Sequence, residues 1–201
     1  RRRFIRQRRA DITEEIANGM PRWEARPDEP FVMPSADGFK LKPKANSIWS
    51  AAGSGDLKAV KQHLAKGIDI NAKDSSLGIT PFASAILQDQ TQMVGFLIQQ
   101  SADVNAKNRD GSTALHTAAF LGYYGIAELL VQKGADVNAR NDKGETPMDS
   151  LKFDWGTTEF VASLLQIKLD REKVEIGRAQ IAELLRQQGV QTNFSGPVGN
   201  D

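Results

Sequence analysis

The sequence predicts an all-α repeat solenoid, in which units made of a turn, two helices and an extended arm stack on one another. Asp-Val-Asn-Ala occurs at 103–106 and again at 136–139, and the variant Asp-Ile-Asn-Ala stands at 69–72, so the spacing between successive copies is almost constant. Gly and Thr recur at the same interval. Such a period is typical of stacked repeats, because one unit cannot bury its apolar faces without neighbours.

The recurring residues indicate where each predicted helix pair begins. A Gly followed two positions later by Thr occurs three times at equal intervals, as Gly78 and Thr80, Gly111 and Thr113, and Gly144 and Thr146. Gly suits a turn with positive φ, and Thr suits the N-cap of a helix. Pro81 and Pro147 follow two of these threonines, as expected for the first position of a helix.

A second helix is predicted in each unit. Apolar residues fall at helical spacing, as in the pair Ile126 and Leu130, and predict a buried face. A glycine follows the predicted second helix at Gly67, Gly134 and Gly189, a position where positive φ is common. The predicted order within a unit is therefore turn, helix, helix and extended arm.

These signals divide the array into four units, 45–73, 74–107, 108–140 and 141–190. The first unit lacks the turn, as expected for an N-terminal cap, and the second has one extra residue in its turn.

The last unit contains an insertion. The regular period would place the counterpart of Leu129-Leu130 at 162–163, but the matching pair is Leu184-Leu185, so the fourth unit is much longer than the others. The sequence predicts one added helix that starts at 157–159 and a further helix capped by Asp170. The fourth unit is therefore interpreted as an enlarged C-terminal cap and not as a separate domain.

The third unit resembles the ankyrin repeat. It contains Asp-Gly-Ser-Thr-Ala-Leu-His-Thr-Ala-Ala at 110–119 and Gly-Ala-Asp-Val-Asn-Ala at 134–139. The resemblance covers about 45–190, and the enlarged last unit is similar to those of bacterial ankyrin proteins. It implies an ankyrin array of antiparallel helix pairs joined by β-hairpin-like arms. It also implies a concave surface, formed by the arms and the inner helices, that binds other proteins. It also implies a structural, hydrogen-bonding role for His116.

Composition and motifs exclude several classes of function. The chain has no Cys, which excludes disulfides and thiolate metal sites, and it has no apolar run of the roughly 20 residues that a spanning helix needs. Phosphate-binding loops, dinucleotide fingerprints and nucleophile elbows are absent, and the only histidines, His63 and His116, fall in different units. The sequence therefore predicts no enzyme activity, cofactor, metal or small-molecule substrate.

Charge divides the chain in two. Residues 1–44 contain eleven Lys or Arg and seven Asp or Glu, a net charge of +4, whereas 45–201 contain fifteen and eighteen, a net charge of −3. Because the array is mildly acidic, nucleic acid is a poor candidate for its concave surface.

The segment 1–44 is predicted to form a basic helix followed by an extended, Pro-containing linker, and 191–201 a C-terminal tail. The basic residues are Arg1, Arg2, Arg3, Arg6, Arg8 and Arg9. Three readings stay open: a solvated tail, contact with an anionic surface such as a membrane beside an upstream spanning helix, and, less favoured, nucleic-acid binding. The compartment also stays open, between a cytoplasmic face and an organelle interior, with or without membrane association.

The predicted protein-binding residues lie at the arm tips and at the ends of the inner helices, with Tyr123 and Trp155 next to that row. They are Lys73, Leu77, Gln88, Arg109, Asp110, Phe120, Leu121, Tyr123, Arg140, Asp142, Lys143, Lys152, Phe153 and Trp155. Aromatic residues on an accessible face are typical binding anchors. For Phe120 and Leu121 the alternative is packing between neighbouring units.

The predicted function is a non-enzymatic interaction module that scaffolds or tethers a protein, as a subunit or cytosolic domain of a larger, membrane-associated assembly in one version. The alternative is a regulatory or inhibitory domain of an enzyme encoded upstream or in trans. The sequence does not identify the partner.

Overall fold

The computed structural model of the chain describes residues 47–190, and all regular secondary structure within this range is helical. The helices are α1 (Ile48–Gly53), α2 (Leu57–Ala65), α3 (Pro81–Leu87), α4 (Thr91–Gln99), α5 (Ala114–Leu121), α6 (Tyr124–Gln132), α7 (Pro147–Ser150), α8 (Trp155–Leu164) and α9 (Arg171–Gln187). The basic helix and linker predicted at 1–44, and the tail at 191–201, lie outside the described residues.

The helix starts confirm the predicted N-caps. Thr80, Thr113 and Thr146 precede α3, α5 and α7, and Thr80 Oγ1 accepts a hydrogen bond from the backbone N of Ala83 at 3.2 Å. Ser47 and Asp56 cap the two helices of the first unit in the same way. Each cap satisfies a backbone donor that the first turn of a helix leaves free.

The helix pairs stack in sequence. The inner helices α1, α3, α5 and α7 contact one another in succession, α4 contacts α6, and α9 contacts α6 and α5. The core runs without interruption through the stack, from Ile48 in α1 through Phe82 and Leu115 to Ile181 in α9. Burial of one such side chain contributes about 1.5–3 kcal/mol, so contacts between neighbouring units stabilise each of them.

The arms are hairpin-like turns without strands between 47 and 190. Each turn is closed by backbone hydrogen bonds. The third unit has Asn108 N to Ser112 O at 2.8 Å and Gly111 N to Asn108 O at 3.1 Å, and the fourth has Asn141 N to Glu145 O at 3.0 Å and Gly144 N to Asn141 O at 2.9 Å. The second arm closes from Asp74 N to Ile79 O at 2.9 Å, and it accommodates the extra residue that the sequence places there.

The recurring Asn links one unit to the next. Asn71 Oδ1 accepts a hydrogen bond from Asp103 N at 2.9 Å, and Asn105 Oδ1 accepts one from Asp136 N at 2.8 Å. Asn105 also donates from Nδ2 to Gly134 O at 3.2 Å. This contact explains why Asn recurs with the period of the array: its side chain pairs backbone groups of the following unit.

The fourth unit departs from the other three. Its inner helix α7 has only 4 residues, whereas the outer helix α9 has 17. Asp170 caps α9 as predicted, but the added helix α8 begins at Trp155, with Asp154 as its N-cap, rather than at 157–159. We refer to residues 151–169, between α7 and α9, as the insert.

A close backbone approach seats α9 against the third unit. A Cβ added at Gly177 would lie only 2.8 Å from the carbonyl carbon of Gly122, in the loop between α5 and α6. Only glycine fits there without a shift of the backbone. The first half of α9 therefore crosses this loop, and its second half packs on α6. None of the described helices is long and apolar enough to cross a membrane.

Candidate functional site

A groove of about 300 Å³ lies between the second arm and the inner helices α1 and α3. Its apolar lining consists of Trp49, Leu77, Ile79, Leu87 and Leu165. The remaining lining is glycine or polar, with Gly53, Ser50, Ser54, Asp74, Ser76, Ser84 and Gln88. Apolar walls with a few oriented polar groups are typical of sites that take a side chain from a ligand.

Hydrogen bonds within the protein hold the polar part of this groove in place. Trp49 Nε1 donates to Ala72 O at 3.0 Å, and Ser84 Oγ donates to Trp49 O at 2.8 Å. Because these bonds join α1 to α3 and to the segment just before the second arm, the indole and the neighbouring part of the groove are fixed before any partner arrives.

Asp74 is occupied by its own arm. Its carboxylate accepts hydrogen bonds from the backbone N of Ser76 at 3.0 Å and of Ile79 at 2.8 Å. Burial alone would raise the pKa of Asp74, but the hydrogen bonds from Ser76, Ile79 and Leu77 together hold it below its ordinary value. The carboxylate thus stabilises the turn.

Basic side chains at the third arm reach the adjacent arms and donate hydrogen bonds to their backbone carbonyl groups. Arg109 Nη2 donates to Ser75 O at 2.8 Å, which places its guanidinium beside the groove. Lys107 Nζ donates to Arg140 O at 2.9 Å. Backbone hydrogen bonds also join the arms, from Arg109 N to Leu77 O at 3.2 Å and from Asp142 N to Asp110 O at 3.0 Å. The arm tips therefore form one continuous row.

The structure leaves most of the predicted binding residues accessible. Lys73, Gln88, Arg109, Asp110, Arg140, Asp142, Lys143 and Lys152 are exposed, and Leu77, Phe120, Tyr123, Phe153 and Trp155 are half-buried. The groove itself brings together only Leu77 and Gln88 from this set. The part that the predicted residues play in binding stays a prediction.

The structure contradicts the prediction for Leu121. It is only 1 % exposed and packs with Ala162 and Ile167 of the insert, so the expectation that it contacts a partner is wrong. Phe120 and Tyr123 pack at the edge of the same cluster, together with Leu87 and Leu165. The insert therefore covers the part of the inner-helix surface that the ankyrin resemblance predicts to be open.

The structure also places Lys152 and Phe153 differently from the prediction. Both were expected at the end of an inner helix, but α7 ends at Ser150 and they lie in the connection to α8. Phe153 packs edge-on against Phe120, with ring centroids 5.4 Å apart. Lys152 Nζ forms an exposed ion pair with Asp149 at 2.7 Å.

Arg178 holds the insert in place. Its Nη1 donates to Phe153 O at 2.6 Å, its Nη2 to Thr158 Oγ1 at 2.8 Å, and its Nε to Phe120 O at 3.1 Å. The side chain is buried and its guanidinium lies 5.5 Å from the centroid of the Phe120 ring. Burial lowers the pKa of Arg178, and carbonyl and hydroxyl oxygens replace the water that the cation loses.

The sequence analysis missed Arg178, although a signal was present. The apolar face of α9 includes Val174, Ile181 and Leu185, and Arg178 falls on that same face. A charged residue among buried apolar positions is informative, because it requires partners inside the protein.

His116 is the only buried histidine in the described part of the chain, and it has a structural role. Its Nδ1 accepts from Thr113 N at 3.1 Å, so Nε2 carries the hydrogen and donates to Glu145 O at 3.0 Å. The ring thus joins α5 to the fourth arm in its neutral form. Between residues 47 and 190 no group of three or more His, Cys, Asp or Glu side chains is arranged to hold a metal ion.

Comparison with known proteins identifies the repeats. The family profile described as "Ankyrin repeats (3 copies)" matches residues 48–141. The chain contains an ankyrin repeat array. The matched residues include α1 to α6 and the second and third arms, and the alternating helices and arms described above are those of the repeat.

Solved and curated ankyrin proteins show the same similarity. The ankyrin repeat domain of Bcl-3 superimposes with a TM-score of 0.50 and 32% identity, over 53% of this chain and 46% of that one. The ankyrin repeat-containing protein P1E11.10 of Schizosaccharomyces pombe is 35% identical over 69 residues, and inversin of Gallus gallus is 32% identical over 85 residues.

These relatives are longer proteins. The matches cover 34% and 42% of this chain, but only 33% of the fission yeast protein and 8% of inversin. Ankyrin arrays are protein–protein interaction modules, and the fold is generally non-enzymatic. The array described here is therefore a protein-binding module.

Acid should weaken the ankyrin array through His116. Burial lowers the pKa of His116 below its ordinary value of 6.5, so the unfolded chain binds this proton more readily than the folded one. The contribution to stability is complete above pH 6.5 and is lost as the pH falls below it. For this one group the slope is at most about 1.4 kcal/mol per pH unit.

Urea unfolding from neutral pH to about pH 5 measures this effect against His116→Asn, which cannot titrate. We expect the variant to be less stable at neutral pH but to show a smaller loss with acid. Equal slopes in the two proteins would contradict the assignment.

Proposed function

We propose that this chain tethers or scaffolds a partner protein through the surface formed by its arm tips and inner helices. The groove beside Leu77 is the observation that supports this function, since it combines an apolar lining with walls that hydrogen bonds within the protein already fix. A preformed groove lowers the conformational cost of binding, so a modest contact area can give useful affinity.

The proposal extends to a role within a larger assembly. Relatives carry their ankyrin repeats as one part of a longer protein, as inversin does, of which the match covers 8%. By analogy, the array described here would supply one binding surface to such an assembly. The chemistry would reside in the partner rather than in this array.

Substitutions in the groove and on the outer helices separate this proposal from binding elsewhere. We expect Leu77→Arg to weaken binding to a partner co-purified from the native source by at least about tenfold, or 1.4 kcal/mol, because it places a charge in an apolar lining. Arg109→Ala should weaken it less. Gln132→Ala and Lys133→Ala, at the exposed end of α6, are the matched controls and should bind normally.

Calorimetric titration measures these affinities. A partner whose affinity falls with the α6 variants and not with Leu77→Arg would bind the outer helices, and the proposed site would be wrong.

The basic segment at the start of the chain supports a separate proposal, contact with an anionic membrane surface. Six arginines lie among the first nine residues, and the first carboxylate is Asp11. These residues lie outside the described part of the structure, so the proposal rests on their sequence. Each cation near an anionic leaflet contributes about 1 kcal/mol, and this attraction is screened by salt.

Liposome flotation tests this proposal with the full chain and with a variant in which Arg1, Arg2, Arg3, Arg6, Arg8 and Arg9 are changed to Gln. We expect the unchanged chain to float with vesicles that contain phosphatidylserine, less so at high salt, and the variant to stay in solution. Recovery of both proteins in the soluble fraction would contradict membrane contact.

A further inference from the structure

The insert forms the end wall of the groove. Leu165, just after α8, lines the groove with Leu87 of α3 and Leu77 of the second arm. In the other units a short loop joins the inner and outer helices, so this wall is specific to the enlarged fourth unit. The insert therefore contributes one wall of the groove.

This wall is fixed to the array. Thr158 and Ala162 of the insert are 0% and 2% exposed, and Ile167 is 9% exposed. Arg178 joins the insert to α5 through hydrogen bonds to Phe153 O, Thr158 Oγ1 and Phe120 O. A partner that displaced the insert would expose these apolar groups and break these bonds, so it meets Leu165 as part of a rigid lining.

The lining selects an uncharged side chain. Among the described residues that line the groove, Asp74 is the only ionisable one, and its carboxylate already accepts hydrogen bonds from Ser76 and Ile79 of its own arm. A volume of about 300 Å³ is enough for one large apolar side chain. A charged side chain placed there would lose its hydration without gaining an ionic partner.

The rim beside the groove favours acidic residues. Lys73 is exposed, and Arg109 lies over Ser75 O at 2.8 Å, next to the lining residue Ser76. Asp110 also lies at this rim, and Ser112 donates to it from its backbone N at 3.1 Å and from Oγ at 2.9 Å. Lys73 is thus exposed and Arg109 is held beside the groove by its hydrogen bond to Ser75 O, whereas the carboxylates of Asp74 and Asp110 accept hydrogen bonds within their own turns.

The charge of the array as a whole does not oppose this reading. Residues 47–190 contain fifteen Lys or Arg and seventeen Asp or Glu, which leaves a net charge of −2. At physiological ionic strength exposed charges are screened beyond about 8 Å, so the residues at the rim determine the local preference.

Building on the proposed function, we infer that the groove binds a peptide segment in which one large apolar side chain is flanked by Asp or Glu. The apolar side chain occupies the pocket between Leu77 and Leu165, and the acidic residues lie toward Lys73 and Arg109. Leu165 is the specificity-determining residue, because it limits how far the side chain can extend along α3.

Selection of short random peptides displayed on phage, against the full chain, provides the probe. We expect the enriched peptides to share an apolar residue with acidic neighbours. A synthetic fluorescent copy should bind at least about tenfold more weakly to Leu165→Arg and to Arg109→Glu. Leu165→Ala should favour peptides with a larger apolar residue, and binding should weaken as salt is raised. Ile176→Arg, on the exposed face of α9, is the matched control and should bind normally.

Two results would overturn this inference without contradicting the proposed function. In the first result, the selection enriches basic peptides or yields no peptide that binds, and this excludes a partner segment with an apolar residue between acidic ones. In the second result, Leu77→Arg abolishes binding but Leu165→Arg and Arg109→Glu leave it unchanged. The groove would then still be the binding site, but Leu165 and Arg109 would have no role in it. Binding that is indifferent to Leu77→Arg as well would contradict the proposed function itself. Thermal unfolding of each variant confirms that a loss of binding is not a loss of fold.

Discussion

Replacing Gly111 with alanine should lower the free energy of unfolding by about 3 kcal/mol, whereas the same change at Gly144 should cost about 1 kcal/mol. Both glycines have a left-handed backbone, with φ of 75° and 76°. They differ in their surroundings. A Cβ at Gly111 would lie 2.7 Å from the backbone N of Asp142 in the next arm, but a Cβ at Gly144 would meet nothing within 4 Å.

The matched pair separates backbone strain from close packing of the arms. The cost at Gly144 reports the left-handed conformation alone, and the additional cost at Gly111 reports the contact between the third and fourth arms. Urea unfolding followed by circular dichroism measures both. Equal losses of stability in the two variants would show that the arms do not pack as closely as described.

Replacing Arg178 with methionine should cost about 3 kcal/mol or more, because methionine fills much of the same space but leaves Phe120 O, Phe153 O and the Thr158 hydroxyl without their donor. Each buried polar group that loses its partner costs about 1–3 kcal/mol. The insert should also open locally, because two of these three groups belong to it.

Arg186→Met is the matched control, since Arg186 lies on the same helix but is exposed, with only an ion pair to Glu183 at 3.4 Å. Its replacement should change stability by less than about 0.5 kcal/mol. Urea unfolding gives the stabilities, and amide hydrogen exchange over the insert reports its opening. Similar stability in the two variants, with the insert still protected, would contradict the role assigned to Arg178.

Features set by local chemistry were predictable from the sequence. Thr80, Thr113 and Thr146 cap helices in the structure, and the glycines of the turns have positive φ, because these roles depend on the residue and its immediate neighbours. The ankyrin array and its all-α fold are also confirmed. They were predictable because the same local signals recur in several units.

The course of the insert was not predictable in the same way. Its helical spacing indicated an added helix, but period and propensity do not say against which surface such a helix packs. That depends on side chains distant in sequence, such as Arg178 bonding to Phe120 O, 58 residues away. The prediction for Leu121 was wrong because it assumed an inner-helix end as open as in regular units.

The central claim is that a partner binds in the groove between the second arm and the inner helices. Amide hydrogen exchange of the full chain, with and without the co-purified partner, tests it most directly. The account predicts slower exchange in the second and third arms, around Leu77 and Arg109, and at the end of α3, with no change in the outer helices α2, α4 and α6. Protection confined to those outer helices, with the arms unchanged, would contradict it.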